Sequence, residues 1–286
     1  MLYLFLSIFF NAILLVIIKL FAKFQVDTLQ ALVINYVTAF GVGLFFLENV
    51  PNWTTIPHEN WFFGSVFLGF IFIATFYATT ITSQQNGISV ASVASKMSVI
   101  IPVGLGVLLY KEDLNFLKII GIVLALIAVY FTTKKEVGSI EKSGSIWFPI
   151  FVFLGAGTID SSLKYLQTYY VPEASITIFS SVTFLCAFFV GFFVLVYKGV
   201  KGTLKITGNS ILGGIILGIP NFFSLYYLVK MIEAKPFESA TLFTIHNIAI
   251  VLVSTLLGVI FFKEIISKRN LFGILLAIIA LFLVTY

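Results

Sequence analysis

The sequence predicts an all-α integral membrane protein of ten transmembrane helices, arranged as two inverted five-helix repeats. Three observations predict it. Of 286 residues, 60% are hydrophobic and only 10% charged, whereas soluble domains carry about 25% charged residues, so little polar surface is left to meet water. The apolar residues fall in ten runs, and a helix needs roughly 20 of them to cross a hydrocarbon core of about 30 Å. Finally, short segments of the first five runs recur in the last five.

The runs can be justified in order. Tyr3–Phe21 comes first; Met1–Ile18 has no basic n-region and no small-residue cleavage site, so it is expected to be a retained span and not a signal peptide. Thr28–Leu47 follows Asp27, a good N-cap. Trp61–Ile81 follows Asn60 and opens on a ring suited to the membrane interface. Ile88–Tyr110 carries Lys96 and Pro102, and Leu114–Phe131 follows Asp113. The polar stretch Thr132–Ser145 interrupts the pattern. Ile146–Leu166 then opens near Trp147. Ile176–Leu195 follows Pro172-Glu173 and holds the single cysteine, Cys186, which has no partner for a disulfide and reads as a packing thiol. Ile211–Met231 follows Ser210, Ser239–Phe262 follows Pro236, and Leu271–Tyr286 is last. The expected division is residues 1–135 as the first repeat, 136–145 as a linker and 146–286 as the second repeat.

The repeat rests on three matches. Gly106, Lys111, Glu112 and Gly121 map onto Gly258, Lys263, Glu264 and Gly273 at one common offset. Gly64, Leu68, Gly69 and Tyr77 match Gly213, Leu217, Gly218 and Tyr226 at a slightly smaller one, and Lys19 matches Lys164 at a smaller one still. Offsets that rise along the chain are what small loop insertions produce. Five spans per half mean that the halves enter the membrane in opposite directions, an arrangement that places a binding site near the midplane at their interface.

With Tyr110-Lys111-Glu112 and Gly121, and Phe262-Lys263-Glu264 and Gly273, each closing a five-helix half, the chain resembles the EamA-type branch of the drug/metabolite transporter superfamily. Lys-Glu stands twice where members often have Gly-Glu. The resemblance implies a central cavity walled by spans one to four and six to nine, with the fifth and tenth peripheral. It also implies small organic metabolites as substrates, amino acids and export among the possibilities.

Ionisable and amide groups inside spans are costly and mark function by default. Lys96 lies eight residues into its span, roughly 12 Å deep at 1.5 Å per residue, with Ser89 and Ser92 on the same face. His246 and Asn247 come close to its level in the second half. Asn11, Asn35 and Asn221 also sit mid-span, and each is readable either as cavity lining or as an interhelical hydrogen bond. Tyr77 and Tyr226 are candidates to stack on or bond an organic substrate. Asp160 and Lys164, spaced i, i+4, can pair and are candidates for ion coupling. Pro102 and Pro220 each remove a helix hydrogen bond. Glu112 and Glu264 are expected to be structural, each near the positive end of the following helix.

The sequence shows no nucleotide loop, zincin motif or Cys/His cluster, so no cofactor and no metal are expected. The expected function is a secondary transporter or facilitator working by alternating access, with an intramembrane enzyme acting on lipid or prenyl substrates as the alternative. Expected partners are a small organic substrate and the lipid bilayer of the cell membrane, with no nucleic acid; self-association through the peripheral helices is left open. Loops after odd-numbered spans carry most of the Lys and Arg behind the +5 net charge, which puts both termini outside. The resemblance favours both inside, so orientation is left open.

Overall fold

The computed structural model describes residues 2–47, 52–102, 104–105, 115–133, 145–172, 175–233 and 239–285. The motif Tyr110-Lys111-Glu112, most of the linker 136–145 and the side chain of Lys164 lie outside the described residues.

Among the described residues the chain is all-helical, with ten α-helices: α1 Leu2–Lys23, α2 Thr28–Phe45, α3 Phe62–Gln85, α4 Ile88–Met97, α5 Phe116–Thr133, α6 Trp147–Tyr169, α7 Ile176–Val200, α8 Gly208–Glu233, α9 Ser239–Phe262 and α10 Lys268–Thr285. A 3-10 turn, Ile56–His58, precedes α3. Helices α1, α2, α3, α7 and the Gly208–Leu228 part of α8 are each long and apolar enough to cross a bilayer.

Local chemistry sets several boundaries. Asp27 caps α2 by accepting the Gln30 N–H at 2.9 Å, as expected of an N-cap. Asn115 caps α5 by accepting the Lys118 N–H at 2.8 Å; Asp113, expected to precede this helix, lies outside the described residues. Helix α8 begins at Gly208, so Ser210 lies inside it. There its hydroxyl accepts the Asp27 N–H at 2.9 Å and ties α8 to the start of α2. Trp61, expected at the lipid interface, is instead 1% exposed and packed edge-on against Phe179, because the start of α7 covers it.

The helices pack as a closed ring in the order α2, α8, α1, α9, α4, α6, α3, α7 and back to α2. Helices α5 and α10 pair with each other outside the ring and rest on α4 and α9. Buried apolar side chains gather in separate seams. One joins α1, α2, α7 and α8; another joins α4, α5, α9 and α10; a third joins α3, α6 and α7. Large apolar side chains such as Phe5, Phe63, Phe193 and Phe261 point outward. Lipid supplies no hydrophobic force between helices, so close contact depends on small residues. Gly214 and Gly218 on α8 provide it: a Cβ on Gly218 would stand 2.7 Å from the Asn35 carbonyl oxygen of α2.

Candidate functional site

Helix α4 carries the Lys96 region, and its first turn is sharply defined. Both the Asn86 and Gly87 N–H groups return to the Thr82 carbonyl of α3. Gly87 then reverses the chain with φ of 107°, a conformation open to glycine and strained for other residues. The helix that follows is rich in Ser and Ala, which lets it sit against α3, α5, α6 and α9 at once.

Helix α4 stops at Met97, directly after Lys96. The cause lies five residues on. Pro102 has no N–H to offer the Ser98 carbonyl, and its ring crowds that oxygen. Ser98 instead accepts the Ile101 N–H at 2.9 Å, while the Lys96 carbonyl turns to the Ser98 N–H and a long 3.4 Å bond from Val99. The helix resumes at residue 100. Pro220 leaves α8 a continuous helix, so only the fourth of the two proline-bearing spans is interrupted among the described residues.

Lys96 is half-buried, and Asp160, on the neighbouring α6, is exposed. The two are close enough for each charge to act on the other. Neither side chain makes an ion pair or a hydrogen bond among the described residues. The contact between α4 and α6 is close here, with Gly157 lying against the Ile101 side chain.

The second half contributes His246 from α9, which is 2% exposed and also feels the Lys96 charge. Its Nε2 lies 2.9 Å from the Ser7 hydroxyl of α1, and that hydroxyl reaches the Ser224 carbonyl of α8 at 3.4 Å. Asn247 is half-buried and interacts with the same imidazole. Asn11 donates to the Ser7 carbonyl at 3.0 Å within α1. Lys96 on α4 thus acts electrostatically on Asp160 of α6 and His246 of α9, and His246 in turn bonds Ser7 of α1.

The other expected residues lie elsewhere. Asn221 donates to Asn35 at 3.1 Å, and both are buried in the seam between α8 and α2. Tyr226 stacks on Phe222 and touches Phe46 and Tyr227 in an aromatic cluster at the end of the same seam. Tyr77 is 39% exposed on α3.

Sequence reading missed Ser7 and one pairing. Ser7 carries one signal, its i, i+4 spacing from Asn11. Lys19 and Glu264 were both visible in the repeat, but their pairing across 3.1 Å was not. Glu264 also lies at the start of α4 rather than of the following α10, because the chain after α9 turns back towards the first half.

Residues 1–134 match the EamA-like transporter family, one of the families of the drug/metabolite transporter superfamily. An uncharacterized protein of Haemophilus influenzae is 28% identical over 280 residues, covering 95% of this chain and 93% of its own length. One crystal structure, 15% identical, shares the fold with a TM-score of 0.56 over 99% of this chain and 94% of the other. With its apolar helices, this match makes the chain a multi-pass integral protein of the cell membrane that resembles small-molecule transporters.

Proposed function

We propose that this chain is a secondary transporter that moves a small organic metabolite by alternating access, through a site centred on Lys96. The observation that carries the reading is that Lys96 and Asp160, whose charges act on each other across α4 and α6, have no direct partner among the described residues. Charges at this depth are retained only at a cost. Leaving both free of a direct partner suits a site whose missing partner is the substrate. An ammonium and a carboxylate on facing helices fit a zwitterion, with an amino acid as the simplest class. The substrate carboxylate would meet Lys96 and its ammonium would meet Asp160, with His246 and Asn247 at the edge. In the absence of a nucleotide motif, gradients or exchange drive the cycle.

Two inverted halves, residues 1–135 and 146–286 joined by the linker 136–145, supply the moving parts. Helix pairings support this, since each has a counterpart five helices away: α8 on α2 and α3 on α7, α1 on α8 and α6 on α3, α4 on α6 and α9 on α1. Gly69 lets α3 approach the Ala187 backbone of α7, where a Cβ would stand 2.7 Å from the Ala187 nitrogen, as its repeat counterpart Gly218 does for α8 on α2.

The test is uptake of radiolabelled amino acids into proteoliposomes, compared with chemical turnover of the same compounds in detergent. Lys96→Ala is expected to abolish flux while expression and thermal stability hold. Lys96→Arg should restore only part of it, because a planar fork does not reproduce a compact ammonium. Normal flux in Lys96→Ala, or turnover without flux, would overturn the reading.

A further inference from the structure

Away from the Lys96 region, an ion pair joins the two halves of the chain. Lys19 Nζ, in the last turns of α1, lies 3.1 Å from Glu264 Oε1, just past the end of α9. Both side chains are largely shielded, at 18% and 15% exposure. The same ammonium donates to the Ser83 carbonyl at 2.7 Å, in the last turn of α3. The same carboxylate oxygen accepts the Ile88 N–H at 3.0 Å, which places it on the positive end of α4. Glycine makes room for it: a Cβ on Gly258 would come within 2.6 Å of Glu264 Oε2. Gln84 adds a second strap from α3 to α1 through the Ile18 carbonyl at 3.3 Å. Four helix ends are thus clasped at one rim of the ring.

On the α4 and α9 stretches that lead away from the clasp, three buried hydroxyls have no partner among the described residues: Ser89 and Ser92 on α4 and Thr255 on α9. Ser92 is 1% exposed. Buried polar groups are almost always satisfied, and exceptions call for an explanation. On α4 these two serines occupy the face that leads from the clasp to Lys96, four and seven residues before it. A purely static staple gives them no role. A seam that opens and fills with water satisfies them in its other state.

We infer that the Lys19–Glu264 clasp is the gate of the transport path at this rim, and that Ser89, Ser92 and Thr255 line the route that opens when it parts. The inference rests on the transporter reading. The energetic design is coherent: an ion pair and two charge-assisted backbone bonds hold the rim shut, and every donor and acceptor involved finds water once the rim opens.

The test reads access rather than transport. In a Cys186→Ser background, Ser92→Cys reports how fast a membrane-impermeant thiol reagent enters from the clasp face of sealed vesicles, with no substrate present. Labelling should be slow with the clasp intact. It should accelerate about tenfold in Lys19→Met, which leaves the Glu264 cap on α4 in place, and in Glu264→Gln. Ser181→Cys, buried in α7 away from the seam, should stay unlabelled throughout. Rates at Ser92 within twofold of the parent in both variants would overturn the gate, as would equal acceleration at Ser181, which signals general loosening. Because no substrate is involved, a failure of flux with a normal labelling response counts against the transporter reading alone.

Discussion

The seam between α2 and α8 permits a quantitative prediction, since Gly218 lies in it and Gly41, also helical, lies outside it on an exposed face of α2. In Gly218→Ala the new methyl would stand 2.7 Å from the Asn35 carbonyl oxygen and 2.6 Å from Thr38 Cβ. Carbon contacts settle at about 3.5–4.0 Å, so α8 must withdraw from α2 by roughly 0.8 Å. The Asn221–Asn35 hydrogen bond lies three residues along the same face at 3.1 Å. The same withdrawal takes it to about 3.9 Å, outside hydrogen-bonding range. Overpacking costs about 1–3 kcal/mol, and the lost interhelical bond about 0.6 kcal/mol. The gain in helix propensity returns only about 0.5–1 kcal/mol. The net loss is therefore about 1–3 kcal/mol. Gly41 lies in α2, and a Cβ placed on it would meet nothing within 4 Å, so Gly41→Ala keeps only the propensity gain. Melting in detergent followed by intrinsic fluorescence should shift down for Gly218→Ala and slightly up for Gly41→Ala. Shifts of the same sign and size would refute the view that α8 is held by backbone contact at Gly218.

Two further outcomes follow from the break in α4 and the path of the chain. Pro102→Ala restores a donor for the Ser98 carbonyl and is expected to heal the interruption after Lys96, raising thermal stability by up to about 3 kcal/mol while slowing flux; unchanged flux would mean that the break serves packing alone. Glu264 reaches back to the start of α4, so the end of the fourth span should lie on the opposite membrane face. Reporters fused after Lys111 and after Lys263 are accordingly expected on opposite sides, and finding both on one side would overturn the ten-span threading.

Much of the fold was legible because the bilayer imposes a simple rule: every backbone polar group must be satisfied within the segment. Apolar run length and N-caps such as Asp27 therefore located most helices to within a few residues, but not the break after Met97 in the fourth span. The candidate site was less legible because depth does not specify direction. Asn35, Asn221 and Lys96 all lie mid-span, and each is flanked by apolar residues on both sides in sequence. Only the packing of α8 on α2 turns the two asparagines towards each other, while the packing of α4 on α6 brings Lys96 near Asp160. Trp61 illustrates the same limit, since an interfacial ring and a buried one have identical sequence signatures until α7 covers one of them.

The clasp shows what a repeat adds to such reading. Lys19 and Glu264 each belong to a recurring segment, which marks them as more than solubilising charges but says nothing of their partners. A carboxylate just beyond a helix end is ordinarily assigned to the dipole of the next helix in sequence. Here the chain turns back, and the nearest positive helix end is that of α4, from the other half. The carboxylate consequently does two things at once: it satisfies an orphan N–H group at the start of the helix that carries Lys96, and it holds the ammonium that straps α1 to α3. Motion that parts α9 from α1 breaks the ion pair, and motion that parts α9 from α4 uncaps α4. The rim contact and the helix bearing the central cation are thereby coupled through a single side chain, without a longer chain of intermediates between them.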